Sequence, residues 1–509
     1  MSEASQALQK IARGTGIVFA GTVISMLLQF VSRAIIARHF STSDYGVFNL
    51  ALTVLSIALV VATLGFPNSL PREVAFYREK DPSKVGQLTS TAITLTLISG
   101  LVWAGFLFAG SPEVAGLFGG GALAHALRIL AFALPFSALV SVMVSISRGF
   151  GRVREQVYFQ NVAYPALFLA FVVVGVVLGF SFEFVFLAYV LAQAVTFATL
   201  TLDVLRVRTF DVKPALDSKI GKELVKFSVP LMLTGLASFI MTWTDTLMLG
   251  HYLGPGAAGL YNGAAPIAKL LPIFLNSAGV IFPPLATALY ARGQLEEFKR
   301  VYQVLTKWIF IATFPLFALM FLFPAATIGF FFGPKYTPAA TALQILAAGF
   351  MFHTLLGLNG LSLIVIGDNG FIMSSNLLSA GTNVVLNALL IPAYGINGAA
   401  VATAVSYLTV NVLNSARLYK KVGVHPFSRS YTKVLLCGAG LLGMALDLHV
   451  STRSIWSALV ITAGIIGVYL ILILLTRSIE REDVDVLKAV EKKTGIRLKI
   501  LEKILGKLC

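Results

Sequence analysis

Apolar residues run through this chain in fourteen stretches long enough to cross a lipid bilayer, and that recurrence limits the fold before any motif is considered. A helix needs roughly 20 apolar residues to span the hydrocarbon core, where each backbone N–H and C=O must find its partner within the segment. The stretches fall near residues 14–37, 44–66, 88–109, 123–147, 158–180, 182–204, 226–250, 257–285, 303–323, 339–366, 371–393, 395–416, 432–448 and 453–475. They are continuous and do not alternate polar with apolar, which argues against a membrane barrel. With 57% hydrophobic and 12% charged residues, the chain departs from soluble proteins, where about a quarter of residues are charged. The expected fold is an all-α polytopic membrane protein with 14 transmembrane helices.

A net charge of +16 raises nucleic acid as a partner, and the distribution of the basic residues removes it. With the N-terminus placed in the cytoplasm, 33 of the 39 Lys and Arg fall on the cytoplasmic side; the others are Arg33, Arg38, Arg128, Lys269, Lys335 and Arg453. This positive-inside pattern requires an even number of spans and puts both termini in the cytoplasm, in a cell membrane. Anionic lipid headgroups account for the excess charge, so membrane lipids are the expected partners. The polar first 13 residues precede a span expected to be retained rather than cleaved as a signal. Cys437 and Cys509 make no disulfide framework. In the tail, Ile496, Ile500 and Ile504 recur at helical spacing with Lys499 and Lys503 on another face. That pattern predicts a basic amphipathic helix, lying on the inner membrane surface or docked on the cytoplasmic loops. External loops are short, as in "PAYGING" at 392–398, and leave no room for a globular catalytic domain.

One phrase occurs twice. "SRAIIARHFSTSDYGVFN" at 32–49 aligns with "TDTLMLGHYLGPGAAGLYN" at 244–262, His39-Phe40 on His251-Tyr252 and "GVFN" on "GLYN", at offsets of 212 and 213 residues. The match places spans 1 and 2 over spans 7 and 8. It predicts two six-helix lobes, 1–208 and 209–422, followed by spans 13 and 14 at 423–476 and the tail at 477–509. Six is even, so the lobes share one orientation and are related by an axis along the membrane normal. Transporters built this way bind substrate between their halves and expose it alternately to each side.

Charged groups inside a span are costly unless they face a partner or an aqueous cavity. Span 1 carries Arg33 and Arg38, span 4 Arg128 and span 8 Lys269. Arg38 and Arg128 lie near outer ends, where snorkelling to the headgroups also explains them. Arg33 lies more than a turn deeper than Arg38, Lys269 lies several turns from either end of span 8, and both are predicted to face a cavity. A basic cavity suits an anionic headgroup, a diphosphate above all. Pro266, Pro272, Pro283 and Pro284 should bend or break span 8 beside Lys269. Measured from the outer ends of their spans, Asp245, Asn387, Thr403 and Asn383 lie at depths of about 8, 9, 12 and 15 Å. Asn383 and Asn387 share one helix face. Such oxygen ligands suit a hard cation, and the carboxylate alone suits a proton. Ordinary interhelical hydrogen bonds, with Asp245 paired to a lysine, are the alternative. His353 reads as a packing histidine with a role in protonation left open. No nucleotide loop, paired-cysteine metal spacing or nucleophile elbow is present, so no enzyme and no cofactor is expected, only Na+ or H+ as a coupling ion.

"NVVLNALLIPAYGINGAAVATAVSYL" at 383–408 resembles the signature region of polysaccharide-type flippases of the multidrug/oligosaccharidyl-lipid/polysaccharide exporter superfamily. "RHFSTSDYGVFNLA" and "DTLMLGHYLGPGAAGLYN" resemble that family's recurrent segments. The resemblance implies a translocase of lipid-linked oligosaccharide, monomeric and able to associate with glycan-assembly enzymes. By position it assigns the diphosphate to Arg33, Arg38 and Lys269, with Arg128 as a further basic candidate. It also assigns a sodium site to Asp245, Asn383, Asn387 and Thr403. The lipid II branch carries a second carboxylate where this chain has Asn387, which leaves sodium coupling open. The competing functions are a cation-coupled drug or metabolite exporter, which calls for carboxylates rather than arginines in the cavity, and a membrane glycan polymerase, which calls for a large external loop.

Overall fold

The computed structural model describes residues 3–210, 215–452 and 454–479, with side chains except at 3–17, 19, 233–238, 240–241 and 280–281. The predicted tail helix and Arg453 lie outside the described residues. The chain divides into two compact units, Met1–Asn262 and Gly263–Cys509.

The first unit holds α1 (Glu3–His39), α2 (Thr42–Ala62), α3 (Phe66–Lys80), α4 (Ser83–Ala109), α5 (Ser111–Gly116), α6 (Gly121–Ala131), α7 (Ala133–Gly149), α8 (Tyr164–Val177), α9 (Glu183–Val207) and α10 (Ser218–Leu253). It also takes in the first turns of α11 (Pro255–Ala268). The second unit holds the end of α11, then α12 (Ile273–Ala291), α13 (Leu295–Leu322), α14 (Pro324–Phe332), α15 (Ala340–Leu355), α16 (Asn359–Val365), α17 (Asn369–Val422), α18 (Arg429–Asp447) and α19 (Ile455–Leu475). No strand occurs among the described residues, and the expected all-helical fold is borne out.

Helix ends are set locally. Ser41 and Asp44 form a capping box on α2, in which Ser41 Oγ accepts from Asp44 N–H at 3.0 Å and Asp44 Oδ2 accepts from Ser41 N–H at 3.2 Å. Asp217 caps α10 by accepting from the N–H groups of Lys219 and Ile220. Span 8 breaks beside Lys269 as expected: α11 stops at Ala268 and α12 starts at Ile273 after Pro272, while Pro266, Pro283 and Pro284 lie inside the two helices. Spans 11 and 12 are two helical arms of α17 that fold back on each other at Gly395, whose non-helical φ of 57° and ψ of −135° suit only glycine. A Cβ on Gly398 would lie 2.3 Å from Leu390 O, so that turn closes only on a glycine. The two arms are tied by Ser379 Oγ donating to Ser406 O at 2.7 Å and Ser375 Oγ donating to Asn414 Oδ1 at 2.8 Å.

Among the described residues nine helical segments are long and apolar enough to cross a membrane, eleven if each of two bent pairs counts as one span. One such pair is α6 and α7, bent by 49°. The folded-back α17 counts once in that tally, and fourteen spans are not reproduced by length and composition alone. Each unit has its own packed interior. In the first, Phe66, Leu70 and Val74 of α3 meet Met143 and Ile146 of α7 and Leu200 of α9. In the second, Phe282 packs with Phe298, Tyr302, Leu363 and Leu418. Inside a bilayer this packing gains from van der Waals contact and interhelical hydrogen bonds, since lipid tails are as apolar as the side chains.

Where the chain re-enters α17, Asp368 accepts a 2.7 Å bond from Arg417 Nε, and the guanidinium lies 5.0 Å from the Phe371 ring centroid. That hydrogen bond, with the positive charge of Arg417 and Lys421, holds the Asp368 carboxyl below its ordinary value of 3.8. A depressed folded pKa gives a stability contribution that is complete above the unfolded value and lost as pH falls through the folded one. Asp368→Asn is therefore expected to melt below wild type at neutral pH and to match it near pH ~2. Thermal unfolding in detergent checks this, and equal melting at neutral pH would remove the pair from the account.

Candidate functional site

Arg33 lies on α1, eleven residues after Thr22 and six before His39, half-buried against α2. Its Nη1 donates to Asn49 Oδ1 at 3.4 Å, and among the described residues no carboxylate pairs with it. Asn49 is 1% exposed and is held by donating its own Nδ2 to Tyr45 O at 2.7 Å. Tyr45 and, from α8, Tyr164 are close enough to feel the guanidinium charge. Tyr189 of α9 stands edge-on to Tyr164 with ring centroids 5.6 Å apart, and Gln193 lies buried one turn further on. A π-helical segment, Gln156–Ala163, leads into Tyr164 and resets the face that α8 presents. Arg33 is thus a cation surrounded by neutral hydroxyl, amide and aromatic groups.

The repeated phrase forms the floor of this site. A Cβ on Gly46 of α2 would lie 1.7 Å from Pro255 O, and one on Gly259 of α11 would lie 1.9 Å from Thr42 O. Positions 42 and 46 correspond to 255 and 259 in the repeat, so each copy's glycine receives the other copy's backbone. The asparagines match as well: Asn49 bonds Tyr45 O, and Asn262 Nδ2 donates to Ala258 O at 2.9 Å. Both also reach back to the leading helix of their own copy, Asn49 to Arg33 and Asn262 to Thr246 Oγ1 at 3.0 Å. Tyr45 OH donates to Asn262 O at 3.4 Å and links the copies. Beside Thr246, Asp245 is 6% exposed and accepts from Tyr261 OH at 2.6 Å. Sequence spacing suggests that the repeated histidine, aromatic and glycine of the phrase serve the turn at the outer face. Gly46 and Gly259 lie instead inside helices, where they permit the crossing, and Tyr45, Asn49, Tyr261 and Asn262 carry the polar links.

Arg38 is exposed in the last turn of α1. Arg128 is exposed on α6, donating through Nε to Ser111 Oγ at 3.1 Å and lying 6.0 Å from the Phe108 ring centroid. Lys269 is exposed, its backbone N–H closing the end of α11 on Ala265 O at 3.0 Å. In the second unit Asn383 and Asn387 are buried on the first arm of α17, and Asn387 Nδ2 donates to Asn383 Oδ1 at 3.0 Å. Thr403 is buried on the returning arm. Asn359 and Asn411 were not singled out by spacing; their signal is a second pair of asparagines inside apolar segments.

Residues 11–288 match the family model described as polysaccharide biosynthesis protein, over half of the chain. The chain belongs to the polysaccharide biosynthesis protein family. A MatE family model matches residues 230–389. Relatives include the probable low-salt glycan biosynthesis flippase Agl15 of Haloferax volcanii, 23% identical and covering 86% of this chain and 88% of that protein. The teichuronic acid biosynthesis protein TuaB of Bacillus subtilis is 25% identical over 73% of this chain and 74% of its own. Among solved structures, the lipid II flippase MurJ in an inward closed conformation superimposes with a TM-score of 0.73 at 17% identity, covering 90% of this chain and 98% of that one. An inward-facing multidrug resistance MATE family transporter superimposes with a TM-score of 0.64 at 14% identity, covering 78% and 94%. This family member therefore has the fold of the multidrug/oligosaccharidyl-lipid/polysaccharide superfamily, and the expected superfamily is borne out.

Proposed function

We propose that the chain is a flippase carrying a polyprenyl-diphosphate-linked oligosaccharide from the inner to the outer leaflet of a cell membrane by alternating access, with both termini in the cytoplasm. The observation that carries the proposal is Arg33: a guanidinium inside a span, half-buried, bonded at long range to a neutral amide and free of any carboxylate among the described residues. A cation in that setting is matched by an anionic ligand group, and a phosphate accepts from the guanidinium fork at two oxygens. The surrounding amide and hydroxyl groups suit the attached sugars. Arg38, Lys269 and Arg128 are the further basic candidates for the diphosphate. The names of the relatives, glycan biosynthesis flippase and teichuronic acid biosynthesis protein among them, support the substrate class. No covalent bond changes in such a step, so the proposed activity is not enzymatic. Coupling to Na+ or H+ belongs to the same proposal, with Asp245, Asn383, Asn387 and Thr403 as the candidate residues.

Purified full-length protein in proteoliposomes is expected to move a fluorescent polyprenyl-diphosphate oligosaccharide between leaflets, faster with an imposed sodium or proton gradient. Asp245→Asn should keep downhill movement and lose the gradient's effect. Dye efflux without lipid-sugar movement would overturn the proposal in favour of a drug exporter, which the MatE match over residues 230–389 makes the specific competitor.

A further inference from the structure

The expected span at 339–366 is two helices, α15 ending at Leu355 and α16 starting at Asn359, with Gly357 between them at a φ of 69°. Breaking a helix inside a membrane frees backbone groups that need new partners. Here they have them. Tyr431 OH donates to Leu355 O at 2.8 Å, and Tyr302 OH donates to Leu356 O. Asn359 Oδ1 accepts from Gly360 N–H at 2.6 Å, while its Nδ2 donates to Asn411 Oδ1 at 3.1 Å and Ser415 Oγ at 3.0 Å. Asn359 and Asn411 are 3% and 1% exposed, so the break is a built feature and not a frayed end.

His353 sits beside it, with Nδ1 3.0 Å from Asn411 Oδ1. Asn411 Nδ2 is committed to Tyr407 O at 2.7 Å, so the atom that faces the imidazole is an oxygen and requires a donor. The hydrogen of the neutral ring is thereby assigned to Nδ1, and Nε2 keeps its lone pair. Nε2 has no hydrogen-bond partner among the described residues. Several titratable groups stand on the packed elements. Tyr407 of α17 lies 5.4 Å away, centroid to centroid. On α13, Tyr302 bonds Leu356 O and buried Lys307 donates to Ser478 O at 3.3 Å, while Glu296, Glu297, Lys299 and Arg300 belong to its first turns. Arg417 of α17 is paired with Asp368, and Lys420 and Lys421 are in that helix's last turn. Lys335 and Tyr336 lie in the 3-10 turn Pro334–Ala339, and α14 carries no titratable group. No carboxylate bonds the imidazole, so a proton on Nε2 would make an uncompensated cation in this arrangement.

We propose that His353 is a proton-binding site of the second unit, taking a proton from water on Nε2 in one state of the transport cycle and returning it in the state described here. Asn411 and Asn359 act as positioning residues that hold the hydrogen on Nδ1. The proposal rests on the transporter reading above. In proteoliposomes the wild-type translocation rate is expected to change about tenfold per pH unit on the limb where proton binding limits it. His353→Asn keeps an N–H donor toward Asn411 and removes the titratable lone pair, so its rate should vary less than about twofold over the same range. A variant that keeps the wild-type pH slope overturns the proposal. Independently of transport, nitrogen-15 NMR of labelled full-length protein in liposomes should show a neutral ring with its hydrogen on Nδ1 that gains a second proton on Nε2 as the pH is lowered. A ring that stays neutral throughout, or carries its hydrogen on Nε2, overturns the proposal as well. If wild type moves no lipid-linked sugar, the flippase reading fails and the NMR titration alone decides the histidine.

Discussion

Replacing Arg33 by Ala is expected to cut lipid-linked sugar translocation by about 10- to 100-fold while the protein still inserts and folds. Hydrogen bonds to charged groups contribute roughly 1.5–3 kcal/mol, and each 1.4 kcal/mol is tenfold. The substitution spares the fold because the guanidinium's bond to Asn49 Oδ1 is long, at 3.4 Å, and Asn49 remains fixed by Tyr45 O. Arg33→Lys restores the charge without the two-pronged donor geometry, so an intermediate rate is expected. Leaflet translocation measured beside detergent-solubilised yield and melting temperature separates the outcomes. Wild-type rates in the Ala variant would sink the assignment of Arg33 to the diphosphate, whereas loss of yield would make it a folding residue.

Gly46→Ala should be the most damaging single-carbon change in the first unit. The added Cβ would meet Pro255 O at 1.7 Å, a backbone atom on a neighbouring helix that cannot swing aside. Overpacking costs about 1–3 kcal/mol where side chains give way, and a backbone clash belongs at the upper end. Separating α2 from α11 would also stretch the Tyr45 to Asn262 link and disturb Arg33 and Asp245 together. Melting temperature and translocation should therefore fall in parallel, and Gly259→Ala should repeat the effect through Thr42 O. Gly86→Ala and Gly105→Ala, with nothing within 4 Å of the new carbon, are the controls and should be neutral or slightly stabilising. A Gly46→Ala protein with normal stability would show that the crossing can open at little cost.

The helical architecture was legible because a bilayer leaves so few ways to satisfy a backbone. Proline positions foretold the break beside Lys269, since a missing N–H acts on its own helix whatever surrounds it. The break at Gly357 had no such marker; it depends on Tyr302 and Tyr431 arriving from other helices to satisfy Leu356 O and Leu355 O. The repeat could be found in the sequence, but its use could not. Nothing in "GVFN" says that the glycine meets a carbonyl 209 residues away, because a close approach is a property of two segments. Depth counting put Asn383 and Asn387 on one buried face, where they lie, and could not say that Asn387 points its nitrogen at Asn383. Amide orientation is set by neighbours rather than by spacing.

The contact at Gly46 and Gly259 is self-complementary: what the first copy does to the second, the second does to the first. Reciprocity of that kind characterises the isologous interface of a two-fold dimer, in which residue i of one subunit meets residue j of the other and j meets i. Within one chain the same reciprocity does not require the two halves of the contact to be identical. At the aligned position one copy has Arg33 and the other Asp245, opposite charges that the two halves of a homodimer could not carry.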